Sequence, residues 1–232
     1  MKNESVKKYY DILYKKRFSL VIKRLFDLVV AMIMLVMLAP VFVIVSIAIK
    51  LDSKGPVIFR QIRVTQYGKQ FKIYKFRTMV RNADRIGSQV TTNNDSRVTR
   101  IGKVLRKFRV DEIPQLFNII IGDMSFVGTR PEVVKYVERY TDEMMATLLL
   151  PAGVTSEASI QYKDEEQLLA NAKNCDETYV NEILPHKMCY NLRSVKEYSF
   201  FFDLRIMLST IIAILPSISN NSSGENKKVW FE

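Results

Sequence analysis

The chain has 232 residues, 48% hydrophobic and 25% charged, with only 8 Gly and 7 Pro, which excludes a collagen-like or wholly disordered polymer. Lys plus Arg number 35 against 24 Asp plus Glu, a formal net charge of +11, so an anionic partner is expected: nucleic acid, an acidic lipid surface or a phosphorylated substrate. Cys175 and Cys189 make no disulfide framework and match no metal-ligand spacing, which points to a reducing compartment, and the lone His186 excludes a His-rich metal site and argues against a Ser-His-Asp hydrolase.

Residues 1–17 read as a basic N-terminal segment. From Leu28 to Ile49 there is no charge, and only Pro40 and Ser46 interrupt the apolar run. That length matches the ~20 residues a membrane helix needs, and residues 18–50 are assigned to it. No small-residue cleavage site follows, so a signal peptide is a poor fit. Lys15, Lys16, Arg17, Lys23 and Arg24 precede the run, and Lys50, Lys54, Arg60 and Arg63 follow it. Both flanks therefore favour the same side. Pro40 removes a backbone donor and kinks or breaks the helix. Two readings stay open on these residues: a re-entrant helix entering and leaving one face, or a bent single span.

Residues 51–198 carry the globular domain. VIFRQIRV (57–64) and FKIYKF (71–76) are rich in β-branched and aromatic residues, with Gly68 between them, and predict a β-hairpin. Residues 82–100 are polar and predict a loop. Ile101, Val104, Leu105 and Phe108 recur at helical spacing among Lys103, Arg106, Lys107 and Arg109, an amphipathic helix with a cationic face. Asp111 is expected to cap the next helix, with Pro114 in its first turn and its end near Gly122. Pro131 to Leu150 predicts a further helix stopped by Pro151, and Gly153 and Thr155 mark a loop. Residues 199–215 are apolar but contain Asp203 and Arg205, which fits an interfacial amphipathic or core helix better than a span. Residues 216–232 predict a flexible tail.

Three places can carry chemistry. Asp111-Glu112 follows Arg97, Arg100, Lys103, Arg106, Lys107 and Arg109. Adjacent carboxylates among cations suit a nucleophile, or Mg²⁺ ligands that share the ion with substrate phosphates. The plain structural reading is an N-cap and a first-turn charge. GDMSFVGTRPE (122–132) forms a Gly/Pro-shaped loop from which Arg130 can bind phosphate, or simply be solvated. In YKFRTM (74–79), Lys75 and Arg77 share a strand face, as anion ligands or as a solvated edge. There is no Walker A motif, GxGxxG or HExxH.

The order KRLFDLVVA (23–31), GPVIFRQIRV (55–64), YKFRTM (74–79), DEIPQLFNIIIGDMSFVGTRPE (111–132) and SFFFDLRIMLSTI (199–211) resembles the bacterial sugar transferase family, the monotopic polyprenyl-phosphate phosphoglycosyl transferases, over residues 18–212. The resemblance implies transfer of a sugar phosphate from a nucleoside diphosphate sugar, usually a UDP-sugar, to polyprenyl (undecaprenyl) phosphate. UMP is released and Mg²⁺ is required. This is the first membrane step of a surface glycan such as O-antigen, capsule, exopolysaccharide or glycoprotein. Asp111 would be the nucleophile, forming a covalent aspartyl intermediate, and Glu112 its partner, both near the metal. Arg130 would contact the diphosphate, with Lys75, Arg77 and Arg106 as further substrate ligands. It also implies a re-entrant membrane helix broken at Pro40, a catalytic domain on the cytoplasmic face of the bacterial inner membrane, contact with membrane lipids, and no nucleic acid. The absence of a multi-span N-terminal region implies the minimal form. Residue pattern and resemblance together imply an α+β, mostly helical fold: a re-entrant helix plus a cytoplasmic catalytic domain with a short β-hairpin and interfacial amphipathic helices.

Three departures stand out. Ala39 precedes Pro40 where the family has Ser. Thr129 replaces a usual Pro. PAGVTSEASIQ (151–161) replaces the usual P-G-I-T-G-x-A-Q, which leaves the sugar-facing loop open. The competing class is a non-catalytic, membrane-tethered basic module for nucleic acid or anionic lipid. Asp111-Glu112 discriminates: carboxylates impair phosphate-backbone binding but serve phosphoryl transfer. The sequence leaves the sugar, pathway, polyprenol length and oligomeric state open.

Overall fold

The computed structural model describes residues 3–83, 95–163, 165–170, 172 and 174–214. Helix α1 (Glu4–Lys15) occupies what the sequence offers only as a basic segment. Asn3 caps it by accepting from the Val6 N–H, and Val6, Tyr9 and Leu13 are buried at helical spacing. They join Ala146, Leu149, Val195 and Tyr198 in one core cluster.

Helices α2 (Arg17–Met37) and α3 (Ala39–Asp52) follow, bent by 60° at Leu38. The bend lies where Pro40 cannot donate to the helix before it and instead opens α3. Among the described residues no single helix is long and apolar enough to cross a membrane; the bent pair passes by length and composition.

Strands β1 (Ile58–Val64) and β2 (Gln70–Phe76) form the expected hairpin, antiparallel with Ile58 opposite Phe76 and Val64 opposite Gln70. Gly68 sits at φ 77° in its turn. Helix α4 (Arg100–Lys107) is capped by Thr99, whose side chain accepts from the Gly102 N–H. Leu105 packs with Val45, Ile49 and Phe76, whereas Val104 and Phe108 remain exposed. The predicted loop before α4 falls largely outside the described residues, as does the tail beyond Ile214; Met79 and Val98 bridge its two ends.

Helix α5 (Gln115–Ile121) stops at Gly122, φ 100°, as expected. Two further expectations give way here. Asp111 does not cap α5: it lies in a separate 3₁₀ turn, Val110–Glu112, and the residue preceding α5 is Pro114. Nor is 131–150 one helix. It breaks into α6 (Val134–Val137) and a 3₁₀ stretch, Met144–Leu149. The Thr141 hydroxyl accepts from the Met144 N–H and starts that second turn, a local bond competing with helix propagation.

The expected loop at 151–161 instead contains β4 (Ala152–Thr155) and α7 (Glu157–Gln161). β4 pairs in parallel with β3 (Met124–Val127). Just beyond β3, Gly128 approaches Gly153 so closely that a Cβ on Gly153 would lie 2.2 Å from the Gly128 nitrogen. The remaining chain forms α8 (Glu165–Ala170), α9 (Cys175–Thr178), a π-helical turn at Tyr179–Ile183, α10 (Leu184–Lys196) and α11 (Phe200–Ile214). The main core cluster joins Ala31, Ile73, Ile119, Met124, Ala152 and Ile206, so α2, the hairpin, α5, both parallel strands and α11 share one interior. The fold is mostly helical with small sheets, consistent with α+β.

Candidate active site

The carboxylate pair is placed by a chain reversal. After α4, Arg109 adopts the left-handed conformation, φ 55° and ψ 19°, and turns the backbone into the 3₁₀ turn holding Asp111 and Glu112. Asn118 on α5 then locks this region to the hairpin. Its amide donates to Lys72 O (2.8 Å) and its carbonyl accepts from the Tyr74 N–H (2.9 Å). That pair of hydrogen bonds to the edge of β2 puts Lys75, one residue further on, beside Glu112. Arg24 of α2 holds the other end of α5 by donating to Ile119 O (2.6 Å) and Ile120 O (3.0 Å).

Glu112 Oε1 accepts from Lys75 Nζ at 3.0 Å and Arg130 Nη2 at 2.5 Å, and Arg109 Nη1 stands 3.9 Å away. The Glu112 side chain is 10% exposed. Burial alone would raise its pKa, but Arg130, Lys75 and Arg109 outweigh that and hold it well below the ordinary carboxylate range. Asp111 differs. It is buried, and among the described residues its carboxylate has no hydrogen-bond partner. Burial raises its pKa; the charges of Lys75, Arg106 and Arg130 pull the other way, and Glu112 adds to the rise. Burial also lowers the pKa of Lys75, against the opposing pull of Glu112.

The structure thus gathers Asp111, Glu112, Lys75, Arg106 and Arg130. It places Arg77 elsewhere. β2 ends at Phe76, and the Arg77 guanidinium turns back to the end of α3, donating to Ser53 O (2.7 Å), Ser53 Oγ (3.0 Å) and Lys54 O (3.1 Å). It satisfies the carbonyls that follow α3 instead of joining Lys75. Pro40 stands apart too, at the α2–α3 bend.

The loop carrying Arg130 begins at the end of β3, and a buried ionic cluster fixes that strand. Lys23 Nζ donates to Val127 O (2.9 Å) and Asp203 (2.5 Å), and Asp27 accepts a long bond from the Phe126 N–H (3.5 Å). Burial raises the pKa of both Asp27 and Asp203. Lys23, Asp27 and Asp203 all lie in the sequence blocks quoted above, but neither spacing nor composition marks them as partners; only the packing of α11 on α2 does. Asp203 also explains the charge inside the apolar 199–215 segment.

No group of three or more His, Cys, Asp or Glu suited to a metal occurs among the described residues. The donor set at the dyad fits a Mg²⁺ that takes most of its ligands from water and phosphate: among the described residues the Asp111 carboxylate accepts no hydrogen bond, while Glu112 Oε1 is already taken by two cations.

The sequence profile described as bacterial sugar transferase matches residues 18–217. The chain belongs to the bacterial sugar transferase family. It is 36% identical over 182 residues to a UDP-N-acetylgalactosamine-undecaprenyl-phosphate N-acetylgalactosaminephosphotransferase of Aeromonas hydrophila, covering 77% of this chain and 40% of the relative. It is 35% identical over 183 residues to a UDP-glucose:undecaprenyl-phosphate glucose-1-phosphate transferase of Klebsiella pneumoniae, covering 76% and 36%. A putative undecaprenyl-phosphate N-acetylgalactosaminyl 1-phosphate transferase of Bacillus subtilis is 44% identical over 110 residues, covering 47% of this chain and 62% of the relative. The chain therefore spans about two fifths of the length of the first two of these sugar transferases.

Proposed function

We propose that this sugar transferase moves a sugar phosphate from a UDP-sugar to polyprenyl phosphate through Asp111. The observation that carries this reading is the asymmetry of the dyad: Glu112 is tied to two cations, whereas Asp111 is buried beside them with its carboxylate unbonded among the described residues. A nucleophile must be close to the charges that hold a phosphate and free to form a bond. An Asp111 oxygen attacks the phosphorus attached to the sugar. The bond from that phosphorus to UMP breaks, and UMP leaves with the electron pair. An oxygen of the polyprenyl phosphate then attacks the same phosphorus, the bond to Asp111 breaks, and the carboxylate is regenerated. Arg130 and Lys75 bind and orient the diphosphate, and the charge of Arg106 favours the ionised form of Asp111 against its burial. Mg²⁺ held at Asp111 would offset charge on the diphosphate when bound.

The bent α2–α3 pair supports a re-entrant membrane helix, with the catalytic domain on the cytoplasmic face of the bacterial inner membrane. Exposed Phe201, Leu208, Ile211 and Ile212 on α11 fit contact with the lipid surface. A basic module that only binds polyanions has no use for a buried carboxylate pair.

The test exposes the protein to a panel of UDP-sugars without lipid acceptor, then measures UMP release and peptide mass. A sugar-phosphate adduct on the peptide containing Asp111, absent from Asp111→Asn, is expected. Transfer that requires both substrates bound at once would overturn the two-step route.

A further inference from the structure

Arg130 bonds one carboxylate and lies in the field of two more. It bonds Glu112, and the charges of Glu165 and Glu132 also act on it. Glu132 is two residues beyond Arg130, and its backbone carbonyl accepts from the Val64 N–H (3.0 Å). Arg63 donates to Pro131 O (3.2 Å). The Arg130 loop is thereby fastened to β1, and what remains to be set is where its guanidinium points.

The two competing carboxylates are held from α10. Lys187 Nζ donates to Glu165 Oε2 (2.9 Å) and to the Tyr179 hydroxyl (3.0 Å), and it lies 3.6 Å from Glu132 Oε1. The Tyr179 hydroxyl in turn donates to Glu132 Oε1. Lys187 is 4% exposed, Tyr179 2% and Glu132 7%, so water screens none of these charges well. A buried ammonium between two carboxylates is costly to place and strongly destabilising to remove. Its consequence for Arg130 is one of choice between partners. With Glu132 and Glu165 taken, Glu112 is the carboxylate left to the guanidinium.

We propose that Lys187 is a positioning residue: by occupying Glu132 and Glu165, directly and through Tyr179, it keeps Arg130 turned to Glu112 and to the diphosphate of the nucleotide. This rests on the proposed role of Arg130. Lys187→Met, which keeps the apolar stem, frees both carboxylates to draw Arg130 away from the site.

The experiment measures UDP binding by calorimetry on the full chain in lipid nanodiscs, with thermal unfolding as the folding control. Lys187→Met weakens UDP by about tenfold, the weight of one charge-assisted hydrogen bond. Adding Glu165→Gln and Glu132→Gln to Lys187→Met restores most of that affinity, because it removes the competing charge without supplying a cation. Lost packing would not be repaired by two amides. If Lys187→Met does not fold, Tyr179→Phe carries the test: it keeps the ring, removes the hydroxyl link, and weakens UDP about threefold. Weakened binding in Arg130→Ala with unchanged binding in Lys187→Met overturns this inference alone, as does weakening that the added amides fail to repair. Unchanged UDP affinity in Arg130→Ala overturns the role of Arg130, and this inference with it.

Discussion

Arg130 Nη2 lies 2.5 Å from Glu112 Oε1, and through that bond the two carboxylates of the dyad take opposite parts. Glu112 stabilises the fold as an anion. At Asp111, the residue before it, burial raises the pKa, and among the described residues no hydrogen bond offsets that cost. Neighbouring residues of similar type thus differ in what their removal should do.

Asp111→Asn should abolish turnover and leave stability unchanged or raised. The raised pKa means that this group favours the fold while protonated, and the contribution fades as pH rises through that pKa. Glu112→Gln should act in reverse on stability. Its pKa is depressed, so its contribution is present above the ordinary carboxylate range and is lost as pH falls through and below it. The loss should be roughly 2–3 kcal/mol, less than the ~3–5 kcal/mol of a fully buried pair because the Arg130 side chain is 30% exposed. Each kcal/mol corresponds to ~2–4 °C in a chain of this size. Thermal melts of both variants between pH 3 and 8 check this, and a drop in Tm for Asp111→Asn equal to that for Glu112→Gln would contradict it.

Arg130→Ala should weaken use of the nucleotide sugar and spare membrane association. Loss of a hydrogen bond to a charged group costs about 1.5–3 kcal/mol, which is a rise in KM for the UDP-sugar of roughly ten- to a hundredfold. An unchanged KM would count against the role of Arg130. Lys75→Met should move in the same direction and also lower Tm, since it leaves Glu112 with one fewer cation.

Arg77→Gln separates structure from site within one strand end. Its guanidinium bonds Ser53 and Lys54 and no part of the dyad. Stability should fall by about 1.5–3 kcal/mol, while the KM for the UDP-sugar stays within twofold of wild type. A large KM effect in a protein with wild-type Tm would return Arg77 to the substrate.

The contrast between Lys75 and Arg77 shows what the sequence could and could not convey. Alternation marked both as cations on one strand face, but the direction Arg77 takes is set by Ser53 and Lys54, brought up just past α3 from more than twenty residues away. The hairpin, the Gly122 stop and the Pro40 break were legible because each rests on local chemistry: β-branched alternation, a positive φ, a missing N–H. The β3–β4 pair was not. Met124–Val127 is buried throughout, shows no alternation, and pairs with a segment that carries no strand signal of its own. The dyad was found by motif, yet the difference between Asp111 and Glu112 needed three dimensions, because Lys75 and Arg130 come from distant parts of the chain.

The bend at Leu38 should bring both ends of the α2–α3 pair to one face of the membrane. Reactive cysteines placed on either side of the α2–α3 pair should be labelled from the same face of the membrane. Gly55 is unsuitable as a site, since a side chain there would collide with the Arg77 guanidinium at 1.9 Å. Lys7 and Lys54 are exposed and serve instead, in a chain whose free Cys175 and Cys189 have been replaced. Lys7→Cys and Lys54→Cys should react alike with an impermeant maleimide in oriented vesicles. Pro40→Leu restores the missing donor, so α2 and α3 can continue as one helix from Arg17 to Asp52, roughly 54 Å at 1.5 Å per residue. Its apolar part would then span the bilayer and carry Lys54 to the opposite face. Because Ile49 and Val45 pack against Phe76 and Leu105, straightening also pulls α3 away from the hairpin that holds Lys75, and turnover should fall with the change in topology. Opposite labelling of the two positions in the chain that retains Pro40 would replace the re-entrant reading with a bent span.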